Sequence, residues 1–267
     1  MKKVLVIGAN SYIGNSFLKF TDSYFKRSGS IHLEAISASN GAWKTEDYSN
    51  YDTVLLLSGI VHRKENTGME ELYDKVNHRM AVKIAELSKK GLVKQFIFLS
   101  TAAVYGEDAK RITKDTEPNP TTLYGKSKLA AERDIIELQS DKFRVAILRV
   151  PMVYGEGCKG NYPRLVKLAK WVPIFPKLHN RRSMLHIDAL CRFLYELIEL
   201  GDGGYYYPQD DKYVDTCEFI VKLRRDIGKK TWLIRIFNPG ILFFMKYNKS
   251  LHKMFDDCYY DMDYNGK

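Results

Sequence analysis

A short apolar strand, a turn bounded by glycines and a helical pattern open this chain and constrain its fold most strongly. Residues 3 to 7 form the apolar run, Gly8 and Gly14 bound the turn, and the helical pattern covers residues 13 to 26. The first glycine permits a tight turn, and the last lets the helix lie close to the sheet. Because a helix N-terminus presents free backbone N–H groups, the unit predicts a pyrophosphate cradle. The same glycines would also suit a plain strand-to-helix connection.

Strand and helix patterns alternate up to about residue 150, which is typical of a parallel sheet covered on both faces. A chain of 267 residues with 45% hydrophobic content can bury one such core and a small lobe. We therefore predict an α/β protein with a Rossmann-type, doubly wound parallel sheet. Only 15 residues separate Ser37 from Asp52. That is too short for a crossover helix and a further strand, so we expect a trimmed sheet there.

Tyr124 and Lys128 stand four residues apart at the start of a helical pattern that continues to about Gln139. One helical turn places both side chains on the same face. An ammonium beside a phenol favours the phenolate, and moving a tyrosine pKa from about 10 to near 7 takes about 4 kcal/mol. Such a pair is a general acid/base for an alcohol or ketone. About two such spacings would arise by chance among 18 tyrosines, so the context decides.

Two hydroxyl residues, Ser100 and Thr101, end an apolar strand pattern that begins at Gln95. Ligands of open α/β sheets lie at the carboxyl ends of the strands. A hydroxyl there can bond the same substrate oxygen that a tyrosine protonates or deprotonates. Alternatively, both hydroxyls satisfy backbone groups where the strand ends.

Three motifs in this order carry a family resemblance: the glycine turn, Leu-Ser-Thr-Ala-Ala-Val-Tyr-Gly at 99–106, and Tyr-x-x-x-Lys at 124–128. The chain resembles the extended short-chain dehydrogenase/reductase family, and within it the NAD-dependent epimerase/dehydratase branch that acts on nucleotide sugars. Residues 182–188 and 153–157 are similar to two further segments of that branch. The resemblance covers residues 1 to about 205.

The resemblance implies an NAD(P)-binding Rossmann domain over residues 1–157 and a mainly substrate-binding lobe over 158–267, with 183–205 packing back on the first domain. It implies NAD as cofactor, with NADP also possible, and a nucleotide sugar, UDP-linked, as substrate. It also implies a homodimer formed through helices near 67–90 and 123–139.

Site residues follow from the resemblance by position. Thr101, Tyr124 and Lys128 would be the catalytic triad, with Lys128 also touching the nicotinamide ribose. The implied cofactor-binding residues are Gly8, Ser11, Tyr12, Ile13, Gly14, Ser37, Asp47, Leu57, Ser58, Gly59, Asn77, Lys128, Pro151 and Val153. Thr101, Asn161 and Arg182 would contact the substrate, and Arg182 would bind its diphosphate.

Two positions depart from the family pattern. Ser11 stands where the family usually has a glycine, so the backbone there would approach the pyrophosphate less closely. A hydrogen bond from the serine hydroxyl to the pyrophosphate would replace that contact. Ser37 follows the second strand where an NAD site normally has a carboxylate for the ribose diol. The choice between NAD and NADP therefore stays open, and Asp47 is the candidate for an adenine contact.

Ala102 and Ala103 occupy the positions at which family dehydratases carry an Asp-Glu pair. Elimination needs a second proton-handling couple, and these alanines supply none. We therefore predict an enzyme that is not a dehydratase, and expect a UDP-hexose 4-epimerase acting through a transient 4-keto sugar. A nucleotide 4-keto-sugar reductase of O-antigen or capsule biosynthesis is the alternative. A non-catalytic dinucleotide-sensing protein is an alternative of another class.

The formal net charge of +10 is concentrated in part between Lys159 and Arg192, where eight Lys/Arg accompany one acid. Such a run could attract an anionic diphosphate, or be a solvated helix face. A nucleic-acid partner is not expected, because no recognised module accompanies the charge.

Four cysteines without Cys-x-x-Cys spacing, and no targeting segment, lead us to expect a reduced, cytoplasmic protein. No residue cluster has the spacing of metal ligands. The apolar run at 241–245 is too short to span a bilayer. It could lie on a membrane surface or cover a subunit interface, but we expect it in the core of the C-terminal lobe.

Overall fold

The computed structural model describes residues 1–24, 29–61 and 68–264. Its centre is a six-stranded parallel sheet in the order β10-β6-β4-β3-β1-β2. The strands are β1 (Lys2–Ile7), β2 (Ile31–Ile36), β3 (Thr53–Leu56), β4 (Gln95–Thr101), β5 (Arg111–Ile112), β6 (Arg144–Val150), β7 (Met152–Tyr154), β8 (Ile174–Pro176), β9 (Met184–His186), β10 (Gly204–Tyr206), β11 (Trp232–Ile234) and β12 (Tyr259–Tyr260).

The helices are α1 (Tyr12–Tyr24), α2 (Met69–Tyr73), α3 (Met80–Lys90), α4 (Leu123–Ile136), α5 (Asn161–Trp171), α6 (Ile187–Leu200), α7 (Thr216–Asp226), α8 (Asn238–Met245) and α9 (Lys249–Phe255). A π-helical turn, Asp74–Arg79, joins α2 to α3. Short 3-10 helices cover Ala42–Lys44, Tyr48–Asn50, Ala102–Tyr105 and Arg235–Phe237.

Apolar side chains cover the sheet on both faces. On one face, α1 and α6 pack through residues such as Phe17 and Leu194 against Val4 and its neighbours. On the other face, α3 and α4 pack through residues such as Ile84 and Ile135. Successive side chains of β1 point to opposite faces of the sheet, so Val4 and Val6 join one core and Leu5 and Ile7 the other. This arrangement confirms the doubly wound α/β fold.

The sheet is trimmed between β2 and β3, as the spacing predicts. Two 3-10 turns replace a crossover helix and a strand, and β2 is therefore an edge of the sheet. Trp43 and Tyr48 are buried, and the Tyr48 hydroxyl donates to the Trp43 carbonyl at 2.8 Å. These aromatic rings close the core where helix packing is missing.

The C-terminal half builds small two-stranded pairs around the main sheet: β8 with β11, β7 with β9, and β5 with β12. Helices α5 and α7 pack together through Ala169, Phe175 and Ile220. Helix α6 and strand β10 instead join the main sheet. The proposed domain boundary at residue 157 stays a prediction.

The prediction that the apolar run at 241–245 lies in the core of the C-terminal lobe is wrong. Helix α8 contains it, and none of the eight residues of α8 is buried. Leu242, Phe243 and Phe244 expose between 50% and 57% of their surface. The run therefore lies on the outside of the C-terminal lobe and not in its core.

Candidate active site

A cleft of about 640 Å³ opens at the carboxyl ends of the central strands. Because parallel strands end at one edge of the sheet, the segments that follow them converge there. The turn after β1, the segment after β3, the end of β4, the start of α4 and the segment after β6 all line the cleft. The sheet therefore assembles in one place most of the residues that the sequence singles out.

Thr101 and Tyr124 meet inside this cleft. Thr101 ends β4, its hydroxyl accepts from the Ala103 N–H at 3.2 Å, and it hydrogen-bonds the Tyr124 phenol. Helix α4 begins at Leu123 because the Thr122 hydroxyl accepts from the Gly125 N–H at 3.0 Å. A side chain at Gly125 would stand 2.5 Å from the Ala103 carbonyl oxygen, so glycine permits the close approach of α4 to the end of β4.

Lys128 lies one turn beyond Tyr124 and is buried. Its ammonium donates to the Leu99 carbonyl at 2.8 Å and stands 4.4 Å from the centre of the Phe98 ring. Burial lowers the pKa of Lys128 to about 8. The expected arrangement of phenol and ammonium on one helix face is present, with both side chains lining the cleft.

The protonation of Tyr124 differs from the expectation drawn from the sequence. Burial raises its pKa to about 12, and the hydrogen bond with Thr101 offsets this only in part. The reason is that desolvation disfavours the phenolate more than the neighbouring polar groups favour it. A phenolate near neutral pH therefore requires additional positive charge in the cleft.

Asn77 supports the site from the π-helical turn. It is buried, its Oδ1 accepts from the Ile60 N–H at 2.7 Å, and its Nδ2 donates to the Ile60 carbonyl at 3.0 Å. The same Nδ2 donates to the Ser127 hydroxyl at 3.2 Å. Through these bonds Asn77 ties the segment after β3 to helix α4. π-helical turns of this kind are frequent at functional sites.

The glycine turn has the predicted close packing. Gly8 adopts a φ of +111°, and a side chain there would stand 2.8 Å from the Ser58 nitrogen. A side chain at Gly14 would stand 2.3 Å from the Gly8 carbonyl oxygen. The Ser11 hydroxyl accepts from the Gly14 N–H at 2.9 Å, so it caps the helix and keeps its own hydrogen available for an anion.

A dinucleotide fits this cradle. Ser58 Oγ and Tyr12 OH are buried without a hydrogen-bond partner in the part of the chain that the structure describes, and both residues line the cleft. Leaving buried polar groups unpaired is costly, so such groups indicate a missing partner. Together with the N-terminus of α1, these hydroxyls supply donors for phosphate and ribose oxygens.

Most predicted residues reach the cleft, and others support it from behind. The predicted residues that line it are Ser11, Tyr12, Ile13, Leu57, Ser58, Gly59, Thr101, Tyr124, Lys128, Pro151, Val153 and Arg182. Gly8, Gly14 and Asn77 stand behind this lining. Their contacts hold the turn after β1 and the segment after β3 in place.

Three predicted contacts stand apart from the cleft lining. Ser37 follows β2 directly, where the Ile36 carbonyl accepts from the Gly8 N–H, so it lies beside the glycine turn. Asp47 is exposed, and its carboxylate accepts from the N–H and hydroxyl of Ser49. Asn161 begins α5, and its side chain lies outside the described part of the structure. Their roles with a ligand stay predictions.

Arg182 lines the cleft but is already held by the C-terminal segment. Its Nη1 donates to the carbonyls of Lys253 at 2.7 Å and Asp256 at 3.2 Å. Of the eight basic residues between 159 and 192, Lys159 and Arg182 line the cleft. Two of these charges therefore lie at the cleft, and the other six do not line it.

Sequence reasoning missed one wall of the cleft. His252, Lys253, Asp256, Asp257 and Cys258 all line it. Lys253 also pairs with Glu107 at 2.6 Å, which joins α9 to the segment after β4. These residues belong to no motif, and the resemblance ends near residue 205, so the sequence held no signal for them.

A buried charged network joins α4 to β6 close to Thr101 and Lys128. Arg149 on β6 donates to the Glu132 carboxylate on α4, at 2.7 Å from Nη2 and 3.0 Å from Nε. The Ser100 hydroxyl donates to the same carboxylate, and Arg149 Nη1 donates to the Tyr105 hydroxyl at 2.8 Å. Ser100 therefore serves the packing of α4 on the sheet, whereas Thr101 faces Tyr124.

Among the described residues, one cluster, His179, Asp215 and Glu218, brings three ligand-type groups within 4.8 Å of one another. Asp215 already caps α7 by accepting from the N–H groups of Cys217 and Glu218. None of the three lines the cleft. The cluster thus has a structural use and is separate from the chemistry of the site.

Comparison with known proteins places this geometry in context. The model of the NAD-dependent epimerase/dehydratase family matches residues 4–207. The chain is 27% identical over 258 residues to UDP-glucose 4-epimerase of Vibrio cholerae, which covers 88% of this chain and 79% of that one. It is 24% identical to N-acetyl-α-D-glucosaminyl-diphospho-ditrans,octacis-undecaprenol 4-epimerase of Escherichia coli O157:H7, covering 85% and 73%.

Among solved structures, the fold is similar to that of a dTDP-4-dehydrorhamnose reductase from Clostridium acetobutylicum. The TM-score is 0.72 at 20% identity, and the alignment covers 87% of this chain and 82% of the other. This likeness shows a shared fold.

Proposed function

Because this chain belongs to the NAD-dependent epimerase/dehydratase family, we propose that it is a nucleotide-sugar 4-epimerase, with a UDP-hexose as substrate. The observation that carries the proposal is the contact of Thr101 with Tyr124, above buried Lys128, in the cleft that also contains the glycine turn. Similarity to the Vibrio cholerae enzyme supports the choice of a UDP-hexose. The family's dependence on NAD agrees with the predicted cofactor.

The N-terminus of α1, Tyr12 and Ser58 would hold NAD, and the chemistry it would supply is reversible hydride transfer with the sugar carbon. Tyr124, as phenolate, takes the proton of the sugar 4-hydroxyl, and Thr101 holds the same oxygen. Lys128 contributes positive charge, and the positively charged nicotinamide ring of bound NAD would add the further charge that the phenolate requires. After the keto sugar has turned over, Tyr124 returns the proton, so the reaction is balanced in protons and electrons.

Elimination of water is disfavoured in this proposal. Ala102 and Ala103 both line the cleft, and methyl groups cannot transfer protons. Glu107 also lines the cleft, but its carboxylate pairs with Lys253 at 2.6 Å. This set of side chains supports hydride transfer with a single proton couple.

A 4-keto-sugar reductase is the second candidate function. Ser37, and not a carboxylate, follows β2 beside the glycine turn, which leaves room for the 2′-phosphate of NADP. In this reaction Tyr124 donates a proton to the carbonyl oxygen, and bound NADPH would supply the hydride to the carbonyl carbon before it leaves in oxidised form.

The cofactor of the freshly purified protein separates these candidates. The protein is denatured, and the released dinucleotide is identified by mass. An epimerase must keep its reduced cofactor between half-reactions, so we expect tightly held NAD near one equivalent. An empty site that oxidises NADPH with a 4-keto nucleotide sugar would replace the epimerase by the reductase.

Turnover then defines the substrate. UDP-glucose should convert to its 4-epimer without added cofactor, as followed by NMR. A sugar on a polyprenyl diphosphate is tested in parallel because of the similarity to the Escherichia coli O157:H7 enzyme. Dinucleotide binding without turnover of sugar nucleotides, lipid-linked sugars or 4-keto sugars would instead support the sensor.

A further inference from the structure

Helix α8 and its flanks form an apolar face that the described part of the chain leaves exposed. We call it the α8 face. Its exposed members are Trp232, Ile236, Phe237, Leu242, Phe243, Phe244 and Tyr247. The Phe243 ring lies 5.6 Å from the Phe244 ring and 5.5 Å from the Tyr247 ring, so these aromatic groups adjoin one another. Contiguous apolar surface of this kind marks an interaction site.

This face is held in a defined position. The side chain of Asn238, the first residue of α8, accepts from the Lys177 N–H at 3.1 Å and donates to the Lys177 carbonyl at 2.9 Å. Asn248 caps α9 by accepting from the N–H groups of Ser250 and Leu251. Since both helices have fixed starts, the exposure of the aromatic rings is part of the fold.

The charge around the face points to an anionic partner. Residues 229–254 contain six Lys/Arg and no Asp or Glu. A symmetric contact between two copies of this face would bring like charges together, because an isologous interface repeats the same surface on both sides. Apolar and aromatic side chains mixed with lysines are typical of segments that lie in a membrane interface.

We propose that the α8 face docks this protein on an anionic phospholipid bilayer, with Phe243 and Phe244 entering the boundary between headgroups and acyl chains. Lys246 and the other basic residues contact the lipid phosphates. In the described residues no helix combines the length and apolarity needed to cross a bilayer. This proposal is independent of the reaction.

Docking would bring the cleft close to the lipid surface. Helix α9 follows α8 after three residues, and its His252 and Lys253 line the cleft. The carbonyl of Lys253 also accepts from Arg182, so the same short helix joins the docking face to the diphosphate side of the cleft.

Vesicle flotation tests the proposal with the full chain. Vesicles of phosphatidylcholine with phosphatidylglycerol should retain the protein, and pure phosphatidylcholine should retain far less. F243S/F244S should lower partitioning by more than about tenfold through lost apolar insertion. K246E should also lower it by more than about tenfold, and added salt should weaken binding of the parent.

Two matched variants serve as controls. L92S removes an exposed apolar side chain between α3 and β4, and K142E reverses an exposed charge ahead of β6. Both should partition like the parent. Failure of the parent to bind anionic vesicles, or binding that F243S/F244S leaves unchanged, would overturn the proposal. A dimer in sedimentation velocity that the same double variant dissociates would assign the face to a second copy instead.

Discussion

Tyr124 carries the proton transfer in the proposed reaction, and its hydroxyl can be removed without opening a cavity. Tyr124→Phe should lower turnover of the sugar nucleotide by about 10²- to 10⁴-fold, the usual contribution of a general acid/base. Dinucleotide binding should survive, because the backbone cradle is untouched. Turnover is measured by NMR and binding by calorimetry. Tyr247→Phe removes a hydroxyl from a tyrosine outside the cleft and should leave activity unchanged, whereas a fully active Tyr124→Phe would contradict the mechanism.

Lys128 gives the parent a pH dependence of stability that Lys128→Met should lack. The unfolded chain holds this proton up to the ordinary pKa of 10.5, while the folded chain releases it at about 8. The unfolded state therefore binds more protons between these values, and stability rises with pH in this window. From pH 7 to 9.5 the parent should gain about 2 kcal/mol relative to the variant.

Urea unfolding of both proteins at a series of pH values measures this difference. Losing the hydrogen bond to the Leu99 carbonyl lowers the stability of Lys128→Met by the same amount at every pH. The change with pH in the stability difference between the two proteins is therefore free of this effect. Parallel stability curves for the two proteins would show that Lys128 keeps its ordinary pKa when folded.

At the scale of elements, the π-helical turn that holds Asn77 should control cofactor binding. Asn77→Ala leaves both backbone groups of Ile60 without partners and frees Ser127 on α4. A lost buried hydrogen bond with unsatisfied partners costs about 1–3 kcal/mol. We expect lower stability in urea and weaker dinucleotide affinity in calorimetry. Asn119→Ala, at an exposed asparagine that does not line the cleft, should change neither. Unchanged affinity in Asn77→Ala would show that the segment after β3 holds its place alone.

The ion pair of Glu132 with Arg149 links α4 to β6, and breaking it from one side should be severe. Glu132→Met or Arg149→Met leaves one buried charge unpaired, which costs about 3–5 kcal/mol. The double variant should be less destabilised than the sum of the two, as a double-mutant cycle in urea can measure. Lys83→Met breaks an exposed pair with Glu86 and should cost less than about 1 kcal/mol. Additive single effects would show that the two charges act separately.

The regular elements were largely predictable because local patterns determine them. The apolar run predicted at residues 3 to 7 forms most of β1, and the helix predicted near 67–90 contains α2 and α3. The interruption of that helix by Asp74–Arg79 was not predictable, since its cause is the pairing of Asn77 with a loop 17 residues away. The apolar run of α8 was misplaced because local hydropathy does not distinguish a buried core helix from an exposed apolar one.

At the scale of the molecule, the sequence predicted the cofactor side of the cleft far better than its other wall. Gly8 and Lys128 belong to motifs with fixed spacing, and the sheet brings such motifs together. The wall at 252–258 depends on contacts between distant segments, such as the parallel pairing of β12 with β5. Two-residue strands of this kind leave no periodic pattern in the sequence.

Strand β12 anchors this wall, so changes at Tyr260 should separate substrate binding from cofactor binding. Tyr260 is fully buried, and its hydroxyl donates to the Arg149 carbonyl at 2.7 Å. Tyr260→Phe leaves that carbonyl without this partner and should cost about 1–2 kcal/mol. Tyr260→Ala also empties an aromatic site and should cost about 3–5 kcal/mol.

Both Tyr260 variants should raise KM for the sugar nucleotide, because residues 252–258 lead directly into β12 and help hold Arg182. Retained dinucleotide should stay near the parent level, since the glycine turn and α4 lie on other elements. The measurements are urea unfolding, KM and the dinucleotide released on denaturation. Tyr247→Ala truncates an exposed tyrosine of the same lobe and should leave all three unchanged for a soluble substrate. Equal loss of dinucleotide and substrate affinity in Tyr260→Phe would show that the two walls of the cleft form a single unit.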